Sequence, residues 1–150
     1  MYSFLDNSPS TSVGHTDTSS NNKFQIGNQV AIELLSLRNQ IKIFHWQTKG
    51  YAEHKALDKL FNILNDQNDR WVETFMGKYG RIKITNDNNK IQLYNKNKQD
   101  TMITFLKHWV DNMLDIRNSY FNQPEDSDLS NIFDEIFGDI NRTCYLLSLK

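Results

Sequence analysis

The sequence predicts an all-α four-helix bundle in which the chain crosses the bundle between its second and third helices. Four stretches carry apolar residues at steps of three and four, as core-facing helices do. The first two are separated by a very short Gly-containing junction, and the second and third by a long Asn-rich interval without that period. A length of 150 residues suits one domain with a real core.

Residues 1–22 are rich in Ser, Thr, Asn and Asp and contain no Lys or Arg. Such a stretch cannot bury enough apolar surface to offset its ordering entropy, so it reads as a disordered N-terminal arm. Tyr2, Phe4 and Leu5 would let it dock on a protein partner. The bundle then occupies 23–150. Its first helix runs from Phe24 to about Thr48 on Ile26, Val30, Leu34, Leu37, Ile41 and Phe44. Lys49-Gly50 closes it, with Gly50 suited to a left-handed cap. The second helix spans about Ala52 to Met76 on Leu57, Phe61, Leu64, Trp71 and Phe75, and the tight junction makes it the antiparallel neighbour of the first.

Gly77 and Gly80 are placed to stop the second helix, and the crossover covers 77–98. Ile82, Ile84, Ile91 and Leu93 alternate with polar residues around Asn86-Asp87-Asn88-Asn89, which fits a small hairpin or an extended strap. A third helix from about Gln99 to Phe121 follows on Met102, Leu106, Trp109, Met113 and Tyr120. Pro124 suits the first turn of a fourth, built on Leu129, Phe133, Ile136, Ile140 and Leu147. Short, long, short is the ferritin-like order of connections, because a long second connection frees the second and third helices from running antiparallel.

A net charge of −1 offers no bulk attraction to nucleic acid, and the arm lacks the basic residues of a DNA-binding tail. No apolar run approaches the ~20 residues of a membrane span, and no apolar stretch behind a basic start marks a signal peptide. The expected location is cytoplasmic. Cys144 is the single cysteine and reads as a small core residue.

The candidate site is a metal-ligand set of His45, His54, Asp69 and Glu73. His45 ends the first helix and His54 opens the second, while Asp69 and Glu73 stand at i and i+4 and share one helix face. Two imidazoles and two carboxylates suit Fe(II), and also Zn or Mn. An intrasubunit di-iron site of the Glu-x-x-His kind is not expected, since Ser12, Lys42, Tyr51 and Phe105 stand three residues before the four histidines. His54 and Asp69 are 69 − 54 = 15 residues apart. That separates them by ~22 Å along a helix but by only about 60° around it. One chain therefore cannot bring them to one ion. Two copies packed antiparallel about a two-fold axis near Asn62 would set His54 of one against Asp69 and Glu73 of the other, giving an isologous dimer with two composite sites.

The run His45-Trp46, Gly50, His54-x-x-x-Asp58 and Asp69-x-x-x-Glu73 resembles the Dps family, the mini-ferritins of the ferritin-like superfamily. The resemblance implies a ferroxidase site between subunits, a dodecameric shell and iron oxidised from Fe2+ to Fe3+. It covers the first two helices, and the remainder matches by helix pattern. The His45–His54 spacing, 54 − 45 = 9, is shorter than usual in that family, which moves His45. The segments His45–Thr48, Tyr51–His54 and Gly77–Gly80 are also similar to ferritin-like proteins of large DNA viruses and phages. That resemblance implies host cytoplasm or virion as the location, and a virion structural or assembly role as the alternative to iron oxidation.

Several polar residues are expected to do nothing chemical. His108, Asp111 and Asp115, and the pair Glu135 and Asp139, read as solvated faces, Glu33 as exposed and Trp46 as core.

Overall fold

The apolar period that begins at Phe24 nucleates a longer helix than it predicts. In the computed structural model, which describes residues 18–97 and 99–149, α1 spans Thr18–Gln47. Residues 18–22 thus continue a helix whose burial begins later, rather than belonging to an arm; polar residues tolerate that exposed end once the downstream turns are packed. Tyr2, Phe4 and Leu5 lie outside the described residues. Phe24 stacks on Phe75 and Gly27 lies beneath it, so the helices approach closely. A Cβ at position 27 would run into the Phe75 ring, which is fully buried. Gly27→Ala is therefore expected to cost about 1–3 kcal/mol by overpacking, read as a lower midpoint in thermal or urea unfolding.

Helix α2 spans Tyr51–Tyr79. Gly50 caps its start in extended backbone, φ −97 and ψ 136, so it is not the left-handed terminator expected for α1. The helix also runs through Gly77. Only Gly80, at φ 95, takes a conformation that favours glycine, and its N–H bonds the Met76 carbonyl at 3.0 Å to close the helix. Helix α3 is Gln99–Tyr120, a 3-10 turn follows at Pro124–Asp126, and α4 is Ser127–Ser148. Pro124 thus opens its own short turn just before the fourth helix.

Between α2 and α3 no strand forms among the described residues, so the crossover is the extended strap and not the hairpin. Its backbone bonds to amide side chains on α1 instead of to itself. Asn28 Oδ1 accepts from the Lys83 N–H at 2.9 Å; Gln40 accepts from the Tyr94 N–H at 2.7 Å and donates to the Tyr94 carbonyl at 2.8 Å. Gln47 accepts from the Lys96 N–H at 2.6 Å. Asn28 and Gln40 are buried among apolar neighbours, and these bonds are what makes that burial tolerable. The strap runs along α1 from Asn28 to Gln47.

The order of contacts fixes the helix directions. The end of α1 meets the start of α3 through Phe44 and Phe105, ring centroids 5.6 Å apart. Successive pairs Lys78–Asp128 at 2.7 Å, Arg70–Glu135 at 2.8 Å and Gln67–Asp139 at 2.8 Å run α4 antiparallel to α2. Helices α2 and α3 therefore point the same way, opposed by α1 and α4. The core between them holds Trp71 against Phe75, Phe121 and Phe133, with Leu34, Leu37, Leu57, Leu64 and Ile136 filling the middle. Cys144 is buried, as expected of a small core residue. No helix among the described residues is long and apolar enough to cross a membrane.

Candidate functional site

Thr48, Lys49 and Gly50 turn the chain so tightly that the last turn of α1 and the first turn of α2 lie side by side. His45 is 7% exposed within that junction, and His54 is exposed at its surface. Their rings stack with centroids 3.9 Å apart and planes inclined by 30°. The two residues also bond reciprocally: His45 Nδ1 lies 3.1 Å from the His54 carbonyl, and His54 Nδ1 lies 3.3 Å from the His45 carbonyl. A carbonyl oxygen only accepts, so in this arrangement each Nδ1 carries the proton and donates. Neither Nε2 takes a hydrogen bond among the described residues. Thr48 Oγ1 also donates to the His45 carbonyl at 2.9 Å and steadies the junction.

A carboxylate stands next to this pair. Asp58, one turn after His54, has Oδ1 3.9 Å from His45 Nε2 and 3.9 Å from Lys42 Nζ. Lys42 in turn lies over the Phe61 ring at 4.1 Å. Asp58 was visible in the His54-x-x-x-Asp58 spacing but was not among the residues singled out as ligands. Its place beside His45 follows from the short junction, which lets α1 and α2 share this corner.

Asp69 and Glu73 lie farther along the same unbroken α2, both exposed on its outer side. Neither side chain makes a hydrogen bond or ion pair with another described residue. The exposed run they end also holds Lys55, Lys59, Asn62 and Asp66, with the cations toward the start of α2 and the carboxylates toward its end. Within one chain the structure brings His45 and His54 together and leaves Asp69 and Glu73 apart from them. Among the described residues no three His, Cys, Asp or Glu side chains gather closely enough to hold an ion. The donor chemistry suits a divalent transition metal, with imidazoles held through Nδ1–H and free carboxylates to balance charge.

Other expectations change. Trp46 is 68% exposed and is not core; it lies ~200° around α1 from Phe44, on the side away from the bundle. With Tyr51, 77% exposed, it leaves two large aromatic side chains uncovered beside the histidine pair. Glu33 is half-buried instead of exposed, because the strap passes over α1 there. Asp139 is half-buried and accepts from Gln67, whereas Glu135, His108, Asp111 and Asp115 are exposed as expected.

The chain is similar to an uncharacterized 14.6 kDa protein of the mobD-ri intergenic region of Enterobacteria phage T4. The two are 36% identical over 106 residues, 71% of this chain and 75% of the phage protein. No solved structure gives a significant match. A family model matches residues 45–147, a span that takes in His45, His54, Asp58, Asp69 and Glu73, and the chain belongs to that family, described as a family of unknown function (DUF5856).

Proposed function

We propose that this is a Dps-like, ferritin-like protein that binds Fe(II) and oxidises it at sites shared between two subunits. The observation that carries the reading is the reciprocal bonding of His45 and His54, which fixes both tautomers and frees both Nε2 atoms at one corner of the bundle. Metal-bound histidines are held in this way, through a carbonyl or carboxylate on the other ring nitrogen. The unpartnered Asp69 and Glu73 of a second copy would complete each site. Helices α2 and α3 running the same way behind a long strap also suit the ferritin-like arrangement. Iron enters as substrate: the carboxylates neutralise its charge, the imidazoles hold it, and oxygen or peroxide takes its electron. Zn or Mn would fit the same ligands without that outcome. The proposed setting is host cytoplasm or a virion.

The test follows Fe(II) oxidation in air and in peroxide by the rise of ferric absorbance, in the wild type, His54→Ala and Glu73→Gln. Each variant is expected to lose about tenfold or more of the rate. Wild-type rates in both would remove the reading.

The similarity to a phage protein and the uncovered Trp46 and Tyr51 favour a second reading, a virion structural or assembly subunit with the same fold and little chemistry. A metal-free monomer that orders only within a larger particle would select it.

A further inference from the structure

Three clefts lie end to end along α1, bordered by the strap and, in the second and third, by α3. The first, of about 410 Å3, shares Ile32, Glu33 and Lys90 with the second, of about 380 Å3. The second shares Tyr94, Phe105 and His108 with the third, of about 610 Å3, which reaches Phe44 near the end of α1. Together they make one groove whose character changes along its length. Near the start of α1 it is lined by Gln25, Gln29, Thr85 and Asp87. Its far end is built on Phe44, Tyr94 and Phe105, with centroids 5.6 Å apart for Phe44–Phe105 and 6.3 Å for Tyr94–Phe105. Phe105 is half-buried and Tyr94 is 49% exposed, so this aromatic lining is only partly covered.

The groove begins close to where residues 1–17 join the bundle. They meet α1 at Thr18, about two turns before Gln25. Phe44 stands 44 − 18 = 26 residues beyond Thr18, which is ~39 Å along the helix. Phe4 stands 18 − 4 = 14 residues before Thr18, and an extended chain of that length spans ~46 Å. The segment is therefore long enough to turn back along α1 and reach the aromatic end, with about two residues to spare. Its side chains come in the same order as the groove's. From Asp6 to Asp17 they are small or polar apart from Pro9 and Val13, and Tyr2, Phe4 and Leu5 stand at the far end. Laid back along α1, polar residues meet the polar part and apolar residues the aromatic part. Extended backbone on this side of α1 is already bonded by side chains, since Asn28, Gln40 and Gln47 hold the strap that way. Asn97, Thr101 and Thr104, which also line the far end, offer the same kind of group to a second extended segment.

We propose that the chain's own first residues occupy this groove, with Tyr2, Phe4 and Leu5 seated against Phe44, Tyr94 and Phe105 of the same chain. The segment then acts as a second strap beside 81–97, closing the side of the bundle between α1 and α3. Burial of three apolar side chains at its tip supplies the attraction, and the polar stretch from Asp6 to Asp17 sets the reach. The reading is independent of any metal at His45 and His54.

The test places a nitroxide at Asp6→Cys in the full chain, with Cys144→Ala so that the label has one site, and follows the backbone amide resonances. Amides of 94–97 and 101–108 are expected to broaden, while those of Asp66 and Glu73 on the outer side of α2 stay sharp. Refolding the labelled chain with a large excess of unlabelled, nitroxide-free chain should leave the broadening unchanged, because tip and groove belong to one molecule. Tyr2→Ser with Phe4→Ser and Leu5→Ser should abolish it. So should Thr104→Trp, which fills the far end of the groove from an exposed position and leaves the core intact. The proposal is overturned if 94–108 stays sharp, as it would with the groove empty or held by another ligand. It is equally overturned if the excess of unlabelled chain removes the broadening, which would assign the tip to a second copy, or if the broadening survives either set of substitutions.

Discussion

Asp126→Ala is expected to lower stability by about 2–4 kcal/mol, which in a domain of this size moves the melting temperature down by roughly 5–15 °C. The Asp126 carboxylate is wholly buried. It accepts from Lys23 Nζ at 2.7 Å and from the Tyr79 hydroxyl, with Lys78 Nζ at 3.7 Å. Burial works against the Lys23 ammonium, yet its bond to Asp126 prevails and raises its pKa. Burial and then the same carboxylate push the Tyr79 hydroxyl up, so Tyr79 stays a neutral donor. One side chain therefore ties the start of α1, the end of α2 and the turn before α4. Lys78 adds bonds to the Glu125 carbonyl and to Asp128 at 2.7 Å. Lys23 and Lys78 keep some contact with water, so the loss falls short of that for a fully buried pair. Tyr79→Phe, which leaves Asp126 one donor short, should cost about 1–3 kcal/mol. A melting temperature for Asp126→Ala within about 2 °C of wild type would remove Asp126 from this role.

The same corner shows where the sequence was readable. Apolar period located all four helices, because each stripe through residues such as Leu34, Leu64, Leu106 and Ile136 has to face a common core. Period is silent about segments bound to side chains. Nothing in the alternation of Ile82, Ile84, Ile91 and Leu93 says that Asn28, Gln40 and Gln47 will take the backbone bonds a neighbouring strand would otherwise supply. Buried amides look from sequence like surface amides. Glycine was over-read for a like reason. A left-handed cap was expected at Gly50 and a stop at Gly77, but tertiary packing carries α2 through Gly77, and only Gly80 has the positive φ. Trp46 was legible and misread, since its angle from Phe44 points outward and only its residue type argued for the core. At the site, spacing identified His45 and His54, but their stacking and mutual carbonyl bonds depend on the close junction of α1 and α2. Lys78 and Tyr79, in the Gly77–Gly80 segment noted for its glycines and its resemblance, prove to be the clamp on 125–128.

Mixing two inactive variants is expected to restore activity that neither has alone. If each site takes His45 and His54 from one chain and Asp69 and Glu73 from the other, His54→Ala damages one half of every site and Glu73→Gln the other. Homodimers of either variant then have no intact site. A heterodimer places both damaged halves in one site and leaves the second site wholly wild type, because a two-fold axis pairs each face with its copy. With random exchange of subunits about half the dimers are heterodimers with one good site of two, so the mixture should recover about one quarter of the wild-type rate of Fe(II) oxidation. A site confined to one chain, such as His45, His54 and Asp58 acting alone, would give no recovery at any mixing ratio. The exposed face of α2 gives a second check on the partner's orientation. Lys55 and Lys59 stand near its start and Asp66, Asp69 and Glu73 near its end, so two copies attract when antiparallel and repel when parallel. Lys55→Glu with Lys59→Glu in both variants should therefore abolish the recovery, and adding Asp66→Lys to both should bring back the dimer by mass and with it the recovered oxidation. Recovery that survives the double lysine reversal would mean that the subunits meet through some other face.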